Sequence, residues 1–329
     1  MNAIPPAQKA LPTAQPVQVD AERSIPRLFI ALVVLAVSVT FFAQGYQLFQ
    51  ATMIVSYAIA LLGLNLLTGY NGQISLGHGA FYAVGAYVTA ILMDRYGVSY
   101  WMCVPISGAV ALVVGYLFGR PALRLEGLYL ALATFALGIA APQLLKSRHF
   151  EPWTGGSSGI VLNKPEAPFG LPLDADQWFY LFSLMVGLLM LLVARNLVSG
   201  ASGRAMRAMR DHPLAAEAIG VPGNHCKSVT FGISAGFTGV AGSLFAVAVQ
   251  FVSPDTFAMF LSISLLVGIV VGGVGTLWGA LYGAVFIMFV PDLAEKVSKA
   301  APWAVYGVVL IVFVYLLPGG LARLVRRRA

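Results

Sequence analysis

The sequence predicts an all-α, polytopic membrane protein with about ten membrane segments, and three observations predict it. Of its 329 residues, 59% are hydrophobic and 10% are charged, whereas about a quarter of the residues in a soluble domain are charged. The apolar residues form continuous runs of about 18 or more, the length of a helix that spans a bilayer. These runs do not alternate between apolar and polar residues, which disfavours a membrane β-barrel.

The two ends of the chain differ from its middle. Residues 1–26 are polar and proline-rich and are expected to form a disordered cytoplasmic tail, and residues 323–329 form a basic cytoplasmic tail. Residues 27–322 are expected to form one transmembrane domain. Arg23 and Arg27 precede the first apolar run as in a signal peptide, but the long tail and the missing cleavage motif favour an uncleaved first helix.

Nine apolar runs follow in order, at residues 28–43, 49–67, 75–93, 101–119, 127–145, 178–198, 226–250, 260–290 and 302–318. The eighth run is too long for one ordinary span. It is rich in glycine, so we predict that it breaks at Gly272–Gly275 into two segments that cross twice or re-enter. With a cytoplasmic N-terminus and two crossings there, 14 of the 20 lysine and arginine residues lie on the cytoplasmic side. The positive-inside rule therefore favours cytoplasmic N- and C-termini.

The acidic residues restrict the possible functions. All 13 fall in predicted loops, helix ends or tails, whereas a carboxylate at the bilayer centre costs about 2.5–3.5 kcal/mol and is usually functional. This disfavours a proton-coupled carrier and a membrane-embedded enzyme. A stand-alone carrier or channel stays open, because backbone carbonyl groups can hold Na⁺. Cys103 and Cys226 lack metal-ligand spacing, and we expect no metal and no cofactor, although a disulfide also stays open.

A cluster of uncharged polar residues interrupts the apolar pattern near the third run. Its members are Asn71, Gly72, Gln73, Ser75, Gly77 and His78. Irregular backbone at membrane depth is tolerated only where protein or a water-filled cavity surrounds it, and glycine-interrupted segments can mark a substrate path. We therefore predict a substrate path here. The competing interpretation of His78 is a neutral histidine that forms hydrogen bonds between helices.

Residues 199–225 form the longest predicted cytoplasmic loop. Its arginines recur at every third position, which on a helix leaves Met206 and Met209 on the other side. Asp211 or His212 can cap a following helix, which is predicted at about 213–219. Proline at the start and glycine at the end support these bounds. Such a loop either lies on anionic lipid headgroups or docks its capped helix into a partner. The chain has no P-loop, so any ATP must bind to a partner.

Four stretches carry a resemblance to a known family. They read LTGYNGQISLGHGAFYAVGAYVTAIL at Leu67–Leu92, EPWTGGSSGI at Glu151–Ile160, RAMRDHPLAAEAIGVPGNHCK in the 199–225 loop, and VGGVGTLWGALYGA in the eighth run. Together and in this order they resemble the permease subunits of branched-chain amino-acid ABC importers, and the second permease of the pair more than the first. The resemblance covers most of the chain.

The resemblance implies a function and partners. The chain would be a multi-pass protein of the bacterial inner membrane that carries branched-chain or related amino acids. Urea or short-chain amides are the alternative solutes. Its partners would be a sister permease, two cytoplasmic ATPase subunits and a periplasmic solute-binding protein, within a lipid bilayer and without nucleic acid.

The resemblance also implies site residues in two loops. The ATPase-coupling residues would be Arg207, Asp211, Pro213, Ala215, Ala216, Glu217 and Gly220. In the external loop 146–177, the face offered to the binding protein would include Thr154, Gly155, Gly156, Ser157 and Gly159. A flexible Gly/Ser turn is the competing interpretation of that last segment.

Overall fold

A computed structural model describes most of the chain between residues 33 and 322. The described residues are 33, 36–40, 42–43, 45–122, 127–168, 172–297, 299, 302–317 and 319–322. The predicted tails at 1–26 and 323–329 lie outside them, as does half of the first apolar run. Within the described part, seven helical stretches are long and apolar enough to cross a membrane.

The first helical unit is interrupted after Tyr70. Helix α1 (Tyr46–Asn65) continues into a π-helical turn, Leu66–Tyr70. Residues 71–77 are irregular, and helix α2 (His78–Tyr96) follows them. The predicted irregular segment is therefore present, and we call residues 71–77 the linker.

Helices α3 (Tyr100–Ala122) and α4 (Leu128–Leu145) follow, and then a long loop that leads to helix α6 (Ala175–Ser199). The loop holds a one-turn helix α5 (Glu151–Thr154), a 3₁₀ turn (Gly156–Ser158) and strand β1 (Ile160–Val161). Strand β1 pairs antiparallel with β2 (Phe251–Val252), which comes about 90 residues later in the chain.

Two short helices separate α6 from the central helix of the bundle. They are α7 (Ala201–Asp211) and α8 (Pro213–Ala218), and the long helix α9 (Gly223–Val249) follows them. Met206 and Met209 are each 2% exposed, so the predicted apolar side of α7 is confirmed. The predicted helix at about 213–219 is confirmed as α8.

The eighth apolar run breaks where it was predicted to break. Helix α10 (Met259–Gly272) follows a 3₁₀ turn, Pro254–Phe257, and helix α11 starts at Leu277 and ends at Val297. A β-carbon on Gly272 would collide with the Gly279 carbonyl group, and one on Gly268 would collide with Ile287. Positions further from the break thus meet in reverse order, so α10 and α11 form an antiparallel hairpin. Helix α12 (Pro302–Leu316) packs against α11.

The core of the bundle surrounds α9, because α2, α3 and α1 all pack on this helix. Hydroxyl groups tie the helices together inside this core. Thr89 Oγ1 donates to Ser243 Oγ at 2.6 Å and lies 2.8 Å from Ser107 Oγ, joining α2, α9 and α3. Such polar contacts and the close approach of small residues hold helices together where lipid removes the hydrophobic driving force.

The seven candidate spans account for six of the nine predicted runs, because the eighth run supplies two of them. The third and ninth runs correspond to α2 and α12, which have 19 and 15 residues and are not among the seven. The bundle is therefore a multi-pass, mostly helical membrane protein. The total of about ten segments stays a prediction.

A close approach between two helices of the core gives a stability test. A β-carbon on Gly85 of α2 would collide with the Gly239 carbonyl group of α9, whereas Gly307 of α12 has no atom within 4 Å of that position. We expect Gly85→Ala to destabilise the protein by about 1–3 kcal/mol, since overpacking forces the helices apart. Gly307→Ala should be neutral or stabilising by about 1 kcal/mol, because alanine favours helix. Thermal unfolding in detergent, followed by tryptophan fluorescence, compares the two. Equal midpoints would contradict the close-packing account.

Candidate functional site

His78 is held between three helical units by both ring nitrogens. Its side chain is 1% exposed. Nδ1 lies 2.9 Å from Ser75 Oγ, and Nε2 lies 2.7 Å from Ser234 Oγ on α9. Ser234 donates its one proton to the Gly63 carbonyl oxygen of α1 at 2.6 Å. Ser234 therefore accepts from His78 Nε2–H, and Nδ1 accepts from Ser75.

In this tautomer His78 is neutral. It links α2 to α9 directly and to α1 through Ser234. Both of its nitrogens and both serine hydroxyl groups have partners, and Phe81 and Phe231 surround the ring. This is the interhelical interpretation of His78 that the sequence left open. The ring thus fixes the start of α2 to α9.

Hydroxyl groups of neighbouring helices accept hydrogen bonds from backbone amides in the linker and just after it. The Leu76 amide donates to Thr134 Oγ1 of α4 at 3.0 Å, and the Gly79 amide donates to Ser262 Oγ of α10 at 2.9 Å. A β-carbon on Gly77 would lie 2.5 Å from the Thr134 carbonyl oxygen, so glycine is needed for this approach. One side of the linker is therefore packed against protein, as irregular backbone in a membrane requires, whereas Gly72 and Ile74 on the other side are exposed.

Two amide side chains in the linker differ from the rest. Asn71 is 3% exposed and Gln73 is 6% exposed. Within the described part of the chain, none of their four side-chain polar atoms has a hydrogen-bond partner. Buried polar groups nearly always have partners, and each exception needs an explanation. Among the described residues, the hydrogen-bonding capacity of these two amides is therefore unused.

The hairpin tip is held by Asn65, which sequence reasoning did not identify. Asn65 is 1% exposed. Its Nδ2 donates to the Thr276 carbonyl oxygen at 2.7 Å, and its Oδ1 accepts from the Gly275 amide at 2.8 Å. One side chain at the end of α1 thus satisfies two backbone groups at the break between α10 and α11. The π-helical turn, the linker and the hairpin tip therefore meet at one end of the bundle.

The α7–α8 loop lies at that same end. Arg210, in the last turn of α7, donates from Nη1 to the Gly69 carbonyl oxygen at 2.7 Å and from Nε to Asp211 Oδ1 at 2.9 Å. Arg207 donates to the Val198 carbonyl oxygen at 3.2 Å and so ties α7 to the end of α6. Arg210 belongs to the predicted loop, but its contact with the π-helical turn was not predicted.

Helix α8 is a rigid, well-terminated element. Gly220 has a φ of +91°, and the Gly220 and Val221 amides donate to the Glu217 and Ala216 carbonyl oxygens at 3.0 Å each. This double contact is the Schellman motif that closes a helix. At the other end Pro213 occupies the first turn, and His212 is the N-cap residue but forms no side-chain cap hydrogen bond.

The residues exposed on α8 and at its C-terminal end differ in part from the ATPase-coupling residues that the resemblance implied. Leu214 is 85% exposed and Ile219 is 80% exposed, whereas Ala216 is 2% exposed and faces inward. Glu217 is exposed, and its carboxylate lies against Gly223 at the N-terminus of α9, where a helix favours negative charge. Leu214 and Ile219 are the large apolar side chains that this loop presents.

The 154–159 segment is a compact turn at the opposite end of the bundle. Thr154 is 2% exposed, and its hydroxyl donates to the Leu145 carbonyl oxygen at 2.7 Å. Gly155, Gly156 and Gly159 all have positive φ values, between +55° and +71°. Ser157 is exposed at the tip of the turn. The segment is thus a defined turn.

Comparison with known proteins gives matches over most of the chain. Residues 46–317 match the family described as branched-chain amino acid transport system / permease component. The chain is 33% identical over 333 residues to the high-affinity branched-chain amino acid transport system permease protein LivM of Escherichia coli (strain K12), covering 94% of this chain and 77% of that protein.

Relatives of lower identity or shorter coverage include other permease proteins. The chain is 24% identical over 283 residues to the permease protein LivH of Salmonella typhimurium, covering 77% of this chain and 85% of that protein. It is 30% identical over 161 residues to the autoinducer 2 import system permease protein LsrC of Salmonella paratyphi B, covering 46% and 44%. No solved structure matches the chain.

Removing the Asn65 side-chain contacts should cause a loss of order at the hairpin tip. Asn65→Leu leaves the Gly275 amide and the Thr276 carbonyl without their partner, and each buried unsatisfied group costs about 1–3 kcal/mol. We expect faster hydrogen exchange in residues 269–281 and a lower unfolding midpoint. Asn196→Leu, at an exposed position of α6, is the matched control. Unchanged exchange at the hairpin tip would show that Asn65 does not hold it.

Proposed function

This chain belongs to the family of permease components of branched-chain amino acid transport systems, and on that premise we propose that it is the transmembrane subunit of an ATP-driven importer. The solutes would be branched-chain or related amino acids, delivered by a periplasmic binding protein. ATP would be hydrolysed by two separate cytoplasmic subunits, and a sister permease would complete the membrane part in the bacterial inner membrane. The observation that carries the proposal is α8, a closed helix with two exposed apolar side chains.

The two ends of the bundle support an orientation. The α7–α8 loop carries arginines at three positions, Arg204, Arg207 and Arg210, so we place this end and both chain termini in the cytoplasm. The opposite end holds the β1–β2 pair and the ion pair between Lys146 and Asp255. We place that end, with the whole 146–177 loop, in the periplasm.

The ATPase would receive α8 in a groove. A few well-packed side chains that lose contact with water carry most of the binding energy of an interface. Leu214 and Ile219 are the exposed apolar side chains of this loop that could fill such pockets. Pro213, Ala215, Glu217 and Gly220 form the rest of the proposed surface. Ala216 packs α8 against the rest of the protein. Arg207 and Asp211 keep α7, the helix that leads into α8, in position.

The solute path would pass the linker. An amino-acid zwitterion needs hydrogen-bonding groups, but a fixed charge on the wall would hold it tightly. The amides of Asn71 and Gln73 can donate and accept without a charge. In this proposal Ser75, Gly77 and His78 position the linker, and Gly72 provides its turn.

The binding protein would contact the periplasmic end. Ser157 and the neighbouring glycines present hydroxyl and backbone groups at the tip of a turn. Thr154 lies beneath them and holds the turn in shape, because its hydroxyl proton is shared between the Leu145 and Phe150 carbonyl oxygens.

The docking proposal predicts the effect of removing one apolar anchor. We expect Leu214→Ser to reduce recovery of the ATPase subunits in co-purification about tenfold, which corresponds to about 1.4 kcal/mol. Val297→Ser is the control, because Val297 is also highly exposed, at 75%, and lies at the end of α11 that is far from the hairpin tip and from α8. Wild-type recovery with Leu214→Ser would reject α8 as the docking element.

The path proposal predicts opposite effects on stability and transport. Gln73→Met and Asn71→Leu replace unpaired buried amides by apolar groups of similar shape, which is neutral or stabilising for folding. Uptake of radiolabelled leucine into vesicles that contain all partners should nevertheless fall about tenfold. Ser183→Ala is the control, since it removes another polar group that is buried without a partner among the described residues, in α6. Wild-type uptake by both amide variants would remove the linker from the path.

A further inference from the structure

Arg210 connects the docking loop to the broken part of the membrane bundle. It lies in the last turn of α7, two residues before the N-cap residue of α8, and its side chain is 38% exposed. Its guanidinium group has two fixed acceptors, the Gly69 carbonyl oxygen at 2.7 Å and Asp211 Oδ1 at 2.9 Å. One acceptor belongs to the π-helical turn of the bundle and the other to the loop itself.

Glycines make room for this side chain. A β-carbon on Gly72 would lie 2.7 Å from Arg210 Cγ, and the φ of +73° at Gly72 also favours glycine. Gly275, at the hairpin tip, has a φ of +76°, and a β-carbon there would lie 3.8 Å from Arg210 Nη1. The arginine stem therefore passes over the linker, and its head lies beside the hairpin tip.

The Gly69 carbonyl oxygen needs a donor at this point. The last carbonyl groups of a helix lack intrahelical partners, and the chain becomes irregular two residues after Gly69. A cationic donor near a helix C-terminus is also favoured by the helix dipole. Arg210 supplies both the hydrogen bond and the charge from a different element, so the position of α7 and the shape of this helix end are linked.

The connection from α8 to Arg210 is short and rigid. Helix α8 is closed by the Schellman motif, and only His212 separates it from α7. Helix α7 is anchored to the bundle by the buried side chains of Met206 and Met209. A displacement of α8 thus reaches Arg210 without an intervening flexible segment.

We propose that Arg210 is a positioning residue that transmits movement of the docking loop to the linker. This rests on the proposed function. When the ATPase subunits displace α8, Arg210 would move the Gly69 carbonyl group and, with it, the unpaired amides two and four residues further along the chain. Docking and transmission are then separate properties of the loop, the first on α8 and the second at Arg210.

The test compares Arg210→Gln and Arg210→Lys with the wild type in the complete transporter. Arg204→Gln is the matched control, because Arg204 is an exposed arginine of the same helix. Three quantities are measured: recovery of ATPase subunits, ATP hydrolysis, and uptake of radiolabelled leucine into proteoliposomes. For Arg210→Gln we expect unchanged recovery and a leucine-to-ATP ratio that is about tenfold lower. Arg210→Lys should be intermediate, since an ammonium group keeps the charge but not the planar fork.

A second measurement does not depend on transport. Hydrogen exchange of the purified permease should become faster in residues 66–76 with Arg210→Gln and stay unchanged with Arg204→Gln. A merely structural role would change exchange and stability but leave the leucine-to-ATP ratio at the wild-type value, and that result overturns the proposal.

The other outcomes also decide the matter. If ATPase recovery and leucine uptake fall in the same proportion, Arg210 belongs to the docking surface and the proposal is wrong. If the wild type neither recovers ATPase subunits nor shows ATP-driven uptake of any amino acid tested, the proposed function fails and this inference fails with it. Wild-type transport with an unchanged ratio in the variant overturns this inference alone.

Discussion

Every backbone polar group that leaves regular helix inside a bilayer needs a partner within the protein, and this constraint organises the structure. Among the residues that the structure describes, the regular helices of this region are interrupted at the linker and at the hairpin tip. Leu76 and Gly79 donate to hydroxyl groups of α4 and α10. The Asn65 amide satisfies the hairpin tip. The bundle is thus fixed around its two irregular segments.

The same constraint explains why polar residues are placed as they are. Asn65, His78 and Ser234 are all at most 1% exposed, and each forms two hydrogen bonds, at least one of them to a different element of the bundle. They hold the bundle in one arrangement. The amides of Asn71 and Gln73 lie in the same region but have no such partners among the residues that the structure describes. This contrast separates the groups that hold the bundle from the two amides that we propose as part of the solute path.

The α7–α8 loop lies against the π-helical turn and the linker. Its buried methionines and Arg207 fix it to the bundle, while Leu214 and Ile219 remain exposed. A loop that only lay on lipid headgroups would not need a helix closed at its C-terminal end. The combination of a rigid helix, exposed apolar side chains and an arginine contact with the linker suits an element that receives movement from a partner and passes it inward.

The sequence by itself determined the helical class, the break in the eighth run, the short helix α8 and the buried side of α7. These follow from local patterns, namely apolar run length, glycine and proline positions, and residue spacing along one helix. It also located the linker, because uncharged polar residues and irregular glycines interrupt an apolar run. Only the tertiary structure decided which of these polar residues are satisfied, since partners such as Ser234 for His78 lie 156 positions away. Asn65 gave no sequence signal, and the arginine spacing marked Arg210 only as part of the loop. Their contacts with Gly275, Thr276 and Gly69 are made to backbone groups, which every residue carries and no pattern reveals.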